Sequence, residues 1–500
     1  EYASARLRGM AVRITSVTGI PRIQFLGSAV DELSWMAVRS GRTAEPRVNL
    51  TGAIDSIHRI LSSSVCASVF RELRSKERAR KWTLEAMMTF WVAVVIRAPA
   101  SLRSALDELF GSKGATELQF ETSRSSFFER AQNMSWLFFR ELFERFVAEI
   151  AAESPANFES DLRAQLPHFP QVWIVDGSSL FRVAHRLKVT RGVAQILIPG
   201  SLLVCYDLFR GIPRVVEFHE KLLGGEASRL RALLDRVPAG TLLVADRGYS
   251  SVRLFLEVAQ RGLACLVRLK VNHAMSLVAE LGRHVDDGCE VIDRIVTIGQ
   301  GGTRSPRLRV RVIEKLLTGG GVLRLATTEL DPEKLPALVA LRLYRRRWAI
   351  ERLFYDLKEV LNLRRFYAAN TNAVAMQVYA SAIVYVALRV AQGRIAAEHG
   401  LRPEELSTVK LFPRVATAHF DLVTKHSNFE DVQEANPRVK LTMPDWTQCH
   451  ARSVPLSQLL VTPRKGPRRR PGYSKARTRV VPLRRYEPER TARTRPRRPS

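Results

Sequence analysis

Three carboxylates stand in surroundings that would let them act together. Asp176 ends the short apolar run QVWIVDG, Asp246 ends TLLVADRGY, and Glu351 lies among arginines and aromatics in YRRRWAIERLFYDLKEVL (Tyr344–Leu361). Taken singly, an aspartate before or near glycine is more often a turn former than a reacting group. Taken together, three carboxylates supply hard oxygen donors suited to Mg²⁺, which keeps several waters and binds substrate phosphates. Two such ions about 3.5–4 Å apart activate a nucleophile and steady the leaving oxygen of a phosphodiester. At about 100° per residue, Tyr344, Arg347, Glu351 and Lys358 fall within an arc of roughly 60° on one helix. Ile350, Leu353, Phe354, Leu357, Val360 and Leu361 take a separate apolar arc. In isolation that row is a surface helix with an Arg347–Glu351 pair worth a few tenths of a kcal/mol. Beside two strand-end aspartates, Arg347 and Lys358 become clamps for DNA phosphates next to the metals.

The elements that must position these residues can be read from the apolar pattern. QVWIVDG and TLLVADRGY are short β-branched runs that each meet a turn. Between them SLLVCYDL, the Arg210–Pro213 turn and RVVEF form a hairpin, and GEASRLRALLDRV reads as a helix. The stretch from Val291 to Leu330 reads as strands joined by Gly-rich turns, and its glycines form no phosphate loop because no GK[ST] follows. Asp331-Pro332 reads as an N-cap followed by proline at the first helical position. Upstream, LEAMMTFWVAVVI (Leu84–Ile96) is expected to be a buried helix and Ser126–Ile150 an amphipathic one. Trp136, Phe138 and Phe139 have the spacing of core residues rather than of a base-stacking surface. HVDDGCE, with His284, Asp286, Asp287, Cys289 and Glu290, reads as a loop of solvated charges, because no second His/Cys set stands near it.

Composition narrows the partner. The 500 residues carry 78 Lys+Arg against 49 Asp+Glu, a net charge of +29. Such a balance favours a polyanion, since phosphate neutralisation releases counterions. Arg464–Ser500 holds 15 Lys+Arg and 2 Asp+Glu, so the preceding chain is basic too. Cys66, Cys205, Cys265, Cys289 and Cys449 are scattered and form no CxxC, which supports neither a zinc knuckle nor a disulfide framework and fits a reducing cytoplasm. The apolar run Ala373–Leu388 is short for a membrane span and reads as a buried helix, so no membrane partner is expected. The chain opens on Glu1 without a signal-peptide pattern, and Met10 is an alternative start.

The spacing Tyr344-x2-Arg347-x3-Glu351-x6-Lys358 resembles the Tyr-Arg-Glu-Lys signature of DDE transposases of bacterial insertion sequences, in the insertion-sequence-four-like branch. IVDGSSL around Asp176 and VADRGY around Asp246 look like that family's two aspartate motifs, in the same order. The resemblance covers roughly residues 80 to 400. It implies an α/β protein: a ribonuclease H-like catalytic core with an inserted β-rich subdomain, a helical N-terminal domain and a disordered basic C-terminal tail. The layout is then 1–165 helical and binding DNA ends, 166–400 catalytic with the insertion at about 265–330, 401–462 helical, and 463–500 disordered and rich in Arg and Pro. Asp176, Asp246 and Glu351 would hold two Mg²⁺ ions, with Mn²⁺ a substitute. Tyr344, Arg347 and Lys358 would contact transposon-end DNA. The implied reaction is hydrolysis at the element's ends followed by attack of the freed 3′-hydroxyl on target DNA, in a homodimeric synaptic complex in the nucleoid-associated cytoplasm. Some relatives cut through a hairpin with the help of an insertion-domain tryptophan, but Arg247–Leu343 contains no Trp. The alternatives are a ribonuclease H-like nuclease or resolvase without strand transfer, and an inactive basic DNA-binding protein. Acids at all three positions argue against the second.

Overall fold

The computed structural model describes residues 12–15, 22–25 and 46–48, then 52–415 apart from internal stretches of which 112–122 and 180–200 are the longest, and 454–462. Residues Glu1–Val461 form one compact unit; of the second, Thr462–Ser500, only Thr462 is described. The basic tail read from the sequence therefore lies outside the described residues.

Strands β1 (Val12–Thr15) and β2 (Arg22–Phe25) pair as an antiparallel ribbon, and β3 is the dipeptide Arg47–Val48. Helices α1 (Gly52–Ile60), α2 (Ser63–Leu73), α3 (Leu84–Arg97), α4 (Leu102–Gly111), α5 (Arg124–Asn133), α6 (Leu137–Glu153) and α7 (Ser160–Arg163) follow. The α3 start is set by Thr83, whose hydroxyl accepts from the Ala86 N–H. Its residues from Ala86 to Ile96 are buried all round except Thr89, as the apolar run demands. The expected helix over Ser126–Ile150 is two helices, broken at Met134–Trp136. There Trp136 stacks on Tyr379 (5.9 Å between ring centres) and meets Phe218 edge-on, which settles it in the core.

The central sheet follows: β4 (Val172–Ser179), β5 (Ser201–Asp207), β6 (Ile212–His219), helix α8 (Glu226–Arg231), β7 (Leu242–Ala245), helix α9 (Val252–Gln260) and β8 (Ala264–Arg268). Strands β9 (Met275–Asp286), β10 (Cys289–Ile298), β11 (Leu308–Leu316) and β12 (Val322–Thr327) complete it. The nine strands run in the order β6-β5-β4-β7-β8-β12-β11-β10-β9. Strand β5 runs antiparallel to β4 and β6 antiparallel to β5, whereas β7 and β8 run parallel to β4. The Gly-punctuated strands thus extend the same sheet, because β12 pairs with β8 and satisfies what would otherwise be an open edge.

Alternation along the inner strands sorts the core onto two faces. Val172, Ile174, Leu242 and Val244 join one apolar cluster with the N-terminal helices, whereas Trp173, Val175, Leu243 and Ala245 join another with Tyr249, Leu254 and Phe255. The first face is covered by α12 (Thr371–Glu398), capped by Asn370 and packed on α1, α3, α6 and β6. This is the apolar run expected to be a buried helix: its most hydrophobic window is 94% buried. Its polar residues are paired, Gln377 to the Arg365 carbonyl and Gln392 to the Pro403 carbonyl, both at 2.7 Å. Beyond α12, helix 408–415 and strand β13 (Val454–Pro455), paired with β3, close the described chain.

Two expectations about the signature segment need correction. It is four pieces rather than one helix: α10 (Ala337–Arg345), a 3₁₀ turn at Arg346–Trp348, α11 (Ala349–Tyr355) and a π-helical turn at Asp356–Val360. The Leu361 N–H donates to the Asp356 carbonyl five residues back, and Asp356, 2% exposed, turns inward to Arg352 and Thr408. The 100° count therefore fails after Tyr355. The helix also begins at Ala337 rather than at Pro332. Pro336 disfavours helical geometry at Leu335, so the Asp331 carboxylate caps only a turn, accepting from the Glu333 N–H at 2.8 Å.

HVDDGCE is the β9–β10 turn, with positive φ at Asp287 and Gly288, the type I′ geometry that Asp-Gly favours. His284 and Asp287 are exposed as expected, and some of the turn's charges are also paired: Asp286 accepts from Lys315 (2.6 Å) and from Arg345 at the end of α10 (2.5 Å).

Candidate active site

Strand parity and register bring the first two carboxylates together. Val175 of β4 is in register with Ala245 of β7, so Asp176 and Asp246 follow side by side where the parallel pairing ends. Strand β7 stops there, but β4 runs on to Ser179 against β5, so Asp176 lies within its strand and not at the expected turn. Each aspartate continues the even-numbered face, the face of Ile174 and Val244. In open α/β sheets this end of the strands, where the connections diverge, is where ligands bind. The backbone holds both side chains: Gly177 N–H donates to Asp176 Oδ1 (2.8 Å) and Gly248 N–H to Asp246 Oδ1 (2.6 Å).

Helix α11 packs on β4 and brings the third. Arg347 links the set, with Nη1 at 3.8 Å from Asp176 Oδ2 and Nη2 at 3.4 Å from Glu351 Oε1. Its Nε is buried without a hydrogen-bond partner. Tyr344 is half-buried; burial pushes its phenol up, while Arg347 and Arg268 oppose the shift and Asp246 adds to it. Lys358 arrives on the π turn, its Nζ donating to Ser178 Oγ (2.9 Å), two residues beyond Asp176. The structure thus gathers Asp176, Asp246, Glu351, Tyr344, Arg347 and Lys358 around the ends of β4 and β7.

The electrostatics are those of crowded acids. Burial pushes the Asp176 carboxyl up to about 6; the Gly177 N–H and Arg347 resist this, and Asp246 and Glu226 reinforce it. Glu226 was absent from the sequence reading. Its pKa is also raised, by burial first and then by Asp246. Its signal lay in the two glycines, 177 and 248, that stand beside the two aspartates. A second residue not singled out is Trp348, 62% exposed, with the Arg347 guanidinium 5.1 Å from its ring centre. Among the described residues no three His, Cys, Asp or Glu side chains converge into a ready-made metal cage. The cation between the carboxylates here is Arg347.

A pair of aspartates on adjacent parallel strands, a helical glutamate and a basic fringe are the ingredients of phosphodiester chemistry. Residues 168–387 match the family model of the transposase DDE domain. Two curated relatives are similar over part of their length. "Putative transposase y4zB" of Sinorhizobium fredii is 30% identical over 191 residues, which is 38% of this chain and 52% of that protein. "Putative transposase for insertion sequence element IS4SA" of Synechocystis is 24% identical over 210 residues, 41% of this chain and 53% of that protein. The chain spans about half the length of the curated relatives it matches. Among solved structures, a piggyBac transposase synaptic complex with hairpin DNA is a distant likeness, with TM-score 0.37 at 9% identity over 81% of this chain and 91% of that one.

Proposed function

We propose that this chain is a DNA transposase that cleaves the ends of an insertion sequence and joins them to target DNA. The observation that carries the reading is the meeting of Asp176 and Asp246 on one face of adjacent parallel strands, with Arg347 bridging Asp176 to Glu351. The order β6-β5-β4-β7-β8, an antiparallel meander followed by two parallel strands, supports a ribonuclease H-like core.

Asp176, Asp246 and Glu351 would hold divalent metal, Mg²⁺ or Mn²⁺. The residues fit it: all offer hard oxygens, and a dication would offset the burial, and after it the repulsion from Asp246 and Glu226, that holds the Asp176 carboxyl high. Bound there, a pair of ions supplies an activated oxygen nucleophile and charge neutralisation at the leaving oxygen. The chain's own groups do the rest. Arg347, with one buried N–H unpaired, and Lys358 grip non-bridging phosphate oxygens. Tyr344, which interacts with Arg347, orients the guanidinium. Trp348 offers a flat exposed face to a base. Double-stranded DNA, as transposon ends and as target, is the partner, and synapsis of two ends calls for two copies of the chain.

Incubation with cognate ends, Mg²⁺ and supercoiled plasmid is the test. A transposase yields joined products; nicks without joints would point to a nuclease, and neither, with Mn²⁺ also tried, would sink the enzymatic reading.

A further inference from the structure

We propose that Glu226 is a fourth carboxylate of the divalent-cation site, reaching Asp176 and Asp246 over the strand ends from the opposite face of the sheet. The inference rests on the metal-dependent reading above and adds a ligand to it. Glu226 opens α8, whose Leu230 belongs to the second apolar cluster, the one behind the face that carries Asp176. Gly177 continues the odd-numbered face of β4, and a Cβ built there would stand 3.3 Å from Glu226 Oε1. A Cβ built on Gly248 would collide with Glu226 Oε2 and lie 3.0 Å from Asp246 Oδ1. The glutamate is thus held between the two glycines that follow the two aspartates. This gives those glycines a shared purpose: they leave the gap through which the carboxylate enters.

Two observations argue that the gap is built for a cation. Glu226 is half-buried, and among the described residues none donates a hydrogen bond to its carboxylate; Arg229 on the next turn supplies only partial counter-charge, its Nη1 going to Ser201 (2.9 Å). A half-buried acid facing two others is unfavourable without a counter-charge. The nearby Tyr249 hydroxyl, 0% exposed, has no hydrogen-bond partner, and burial first, then the charges of Glu226, Asp176 and Asp246, oppose its ionisation. A polar atom left open there is accounted for by a hydrated ion, whose waters donate to the phenol oxygen. The competing role for Glu226 is structural, an acid favourably placed in the first turn of a short helix.

The test is Mn²⁺ binding to the full chain, read by the paramagnetic resonance of free Mn²⁺ and by the melting temperature with and without metal. Glu226→Gln should weaken Mn²⁺ binding by about tenfold or more, the scale of losing a ligand-shell group. Its metal-free melting temperature should stay level or rise, because a like charge beside Asp246 is removed. Gly248→Ala places a methyl group where Glu226 Oε2 stands and should weaken Mn²⁺ binding in the same direction, adding little in the Glu226→Gln background. Unchanged Mn²⁺ affinity in Glu226→Gln, with affinity lost in Asp246→Asn, would overturn the fourth ligand and leave the metal site intact. A lowered metal-free melting temperature with wild-type affinity would establish the helix role instead. Wild-type chain binding no more Mn²⁺ than Asp246→Asn would remove the metal reading itself, and Glu226 with it.

Discussion

Asp176 is the residue on which the proposed chemistry depends most directly. Burial above all, and then Asp246 and Glu226, hold its carboxyl up, while the Gly177 N–H and the Arg347 guanidinium oppose them. Replacing a charged oxygen by an amide keeps the shape and removes the ligand. Asp176→Asn, Asp246→Asn and Glu351→Gln are therefore each expected to abolish cleavage while end binding, measured by gel shift, stays close to wild type. Near-wild-type cleavage in any one of them would take that residue out of the site. The raised carboxyl also has a sign. Folding of the metal-free chain favours the protonated form, so the stabilisation is fully present below the ordinary value of 3.8 and is lost as pH rises through about 6. Calorimetry without metal should show Asp176→Asn gaining on wild type as pH climbs through about 6, with the advantage fading toward about pH 4. Metal loading runs the other way, since protons compete for the ligand: Mn²⁺ affinity should rise with pH across the same window. A flat difference between the two proteins would mean that Asp176 is not buried among acids as described.

At the scale of elements, the sequence made plain what depends on local pattern. The runs QVWIVDG and TLLVADRGY were legible as strands carrying Asp176 and Asp246, whereas the face each takes, with Ile174 and Val244 on one side and Trp173 and Leu243 on the other, came only with the sheet. What depends on hydrogen-bond register was not legible either. The π turn at Asp356–Val360 arises because a buried Asp356 seeks Arg352 and Thr408, and no residue spacing announces that. Glu226 was hidden for a related reason: it reaches the site across the sheet, through space that is visible only once Gly177 and Gly248 are placed. The turn gives Lys358 a definite partner, so Lys358→Ala should lower end-complex formation or cleavage with no large drop in melting temperature, Ala being a good helix former. A large drop with normal cleavage per folded molecule would make Lys358 structural. The extended sheet is tied to α10 by one buried pair. Arg311, 0% exposed, chelates Asp293 (2.8 and 2.6 Å) and donates to the Leu335 carbonyl (2.6 Å) just ahead of that helix. Asp293→Ala strands that guanidinium and should cost about 3–5 kcal/mol, whereas a hydrophobic replacement of both partners should recover most of it. Denaturant melts of the two variants decide this; equal losses would mean that the pair is not the tie.

Over the whole molecule, charge is distributed in a way that the described site does not require. The net charge is +29, and Arg464–Ser500 alone contributes 15 cationic against 2 acidic residues, beyond all six residues gathered at the strand ends. Such a segment neutralises phosphates without reading bases, because backbone contacts position a protein on DNA and carry no sequence. If about 6 of those groups meet phosphates, removing the chain after Pro463 should reduce the slope of log K against log salt by roughly 5 units on duplex DNA. The reduction should be nearly equal for cognate ends and for random duplex, and cleavage of cognate ends at low salt should persist, since the acids and their basic fringe remain. Titrations from low to moderate salt on both DNAs, with the full and shortened chains side by side, measure it. An unchanged slope would mean that DNA is met by the preceding chain alone, whose net charge is 29 − 13 = +16. A loss confined to cognate ends would mean that the segment reads sequence, and its arginines would then have to enter a groove rather than follow the backbone.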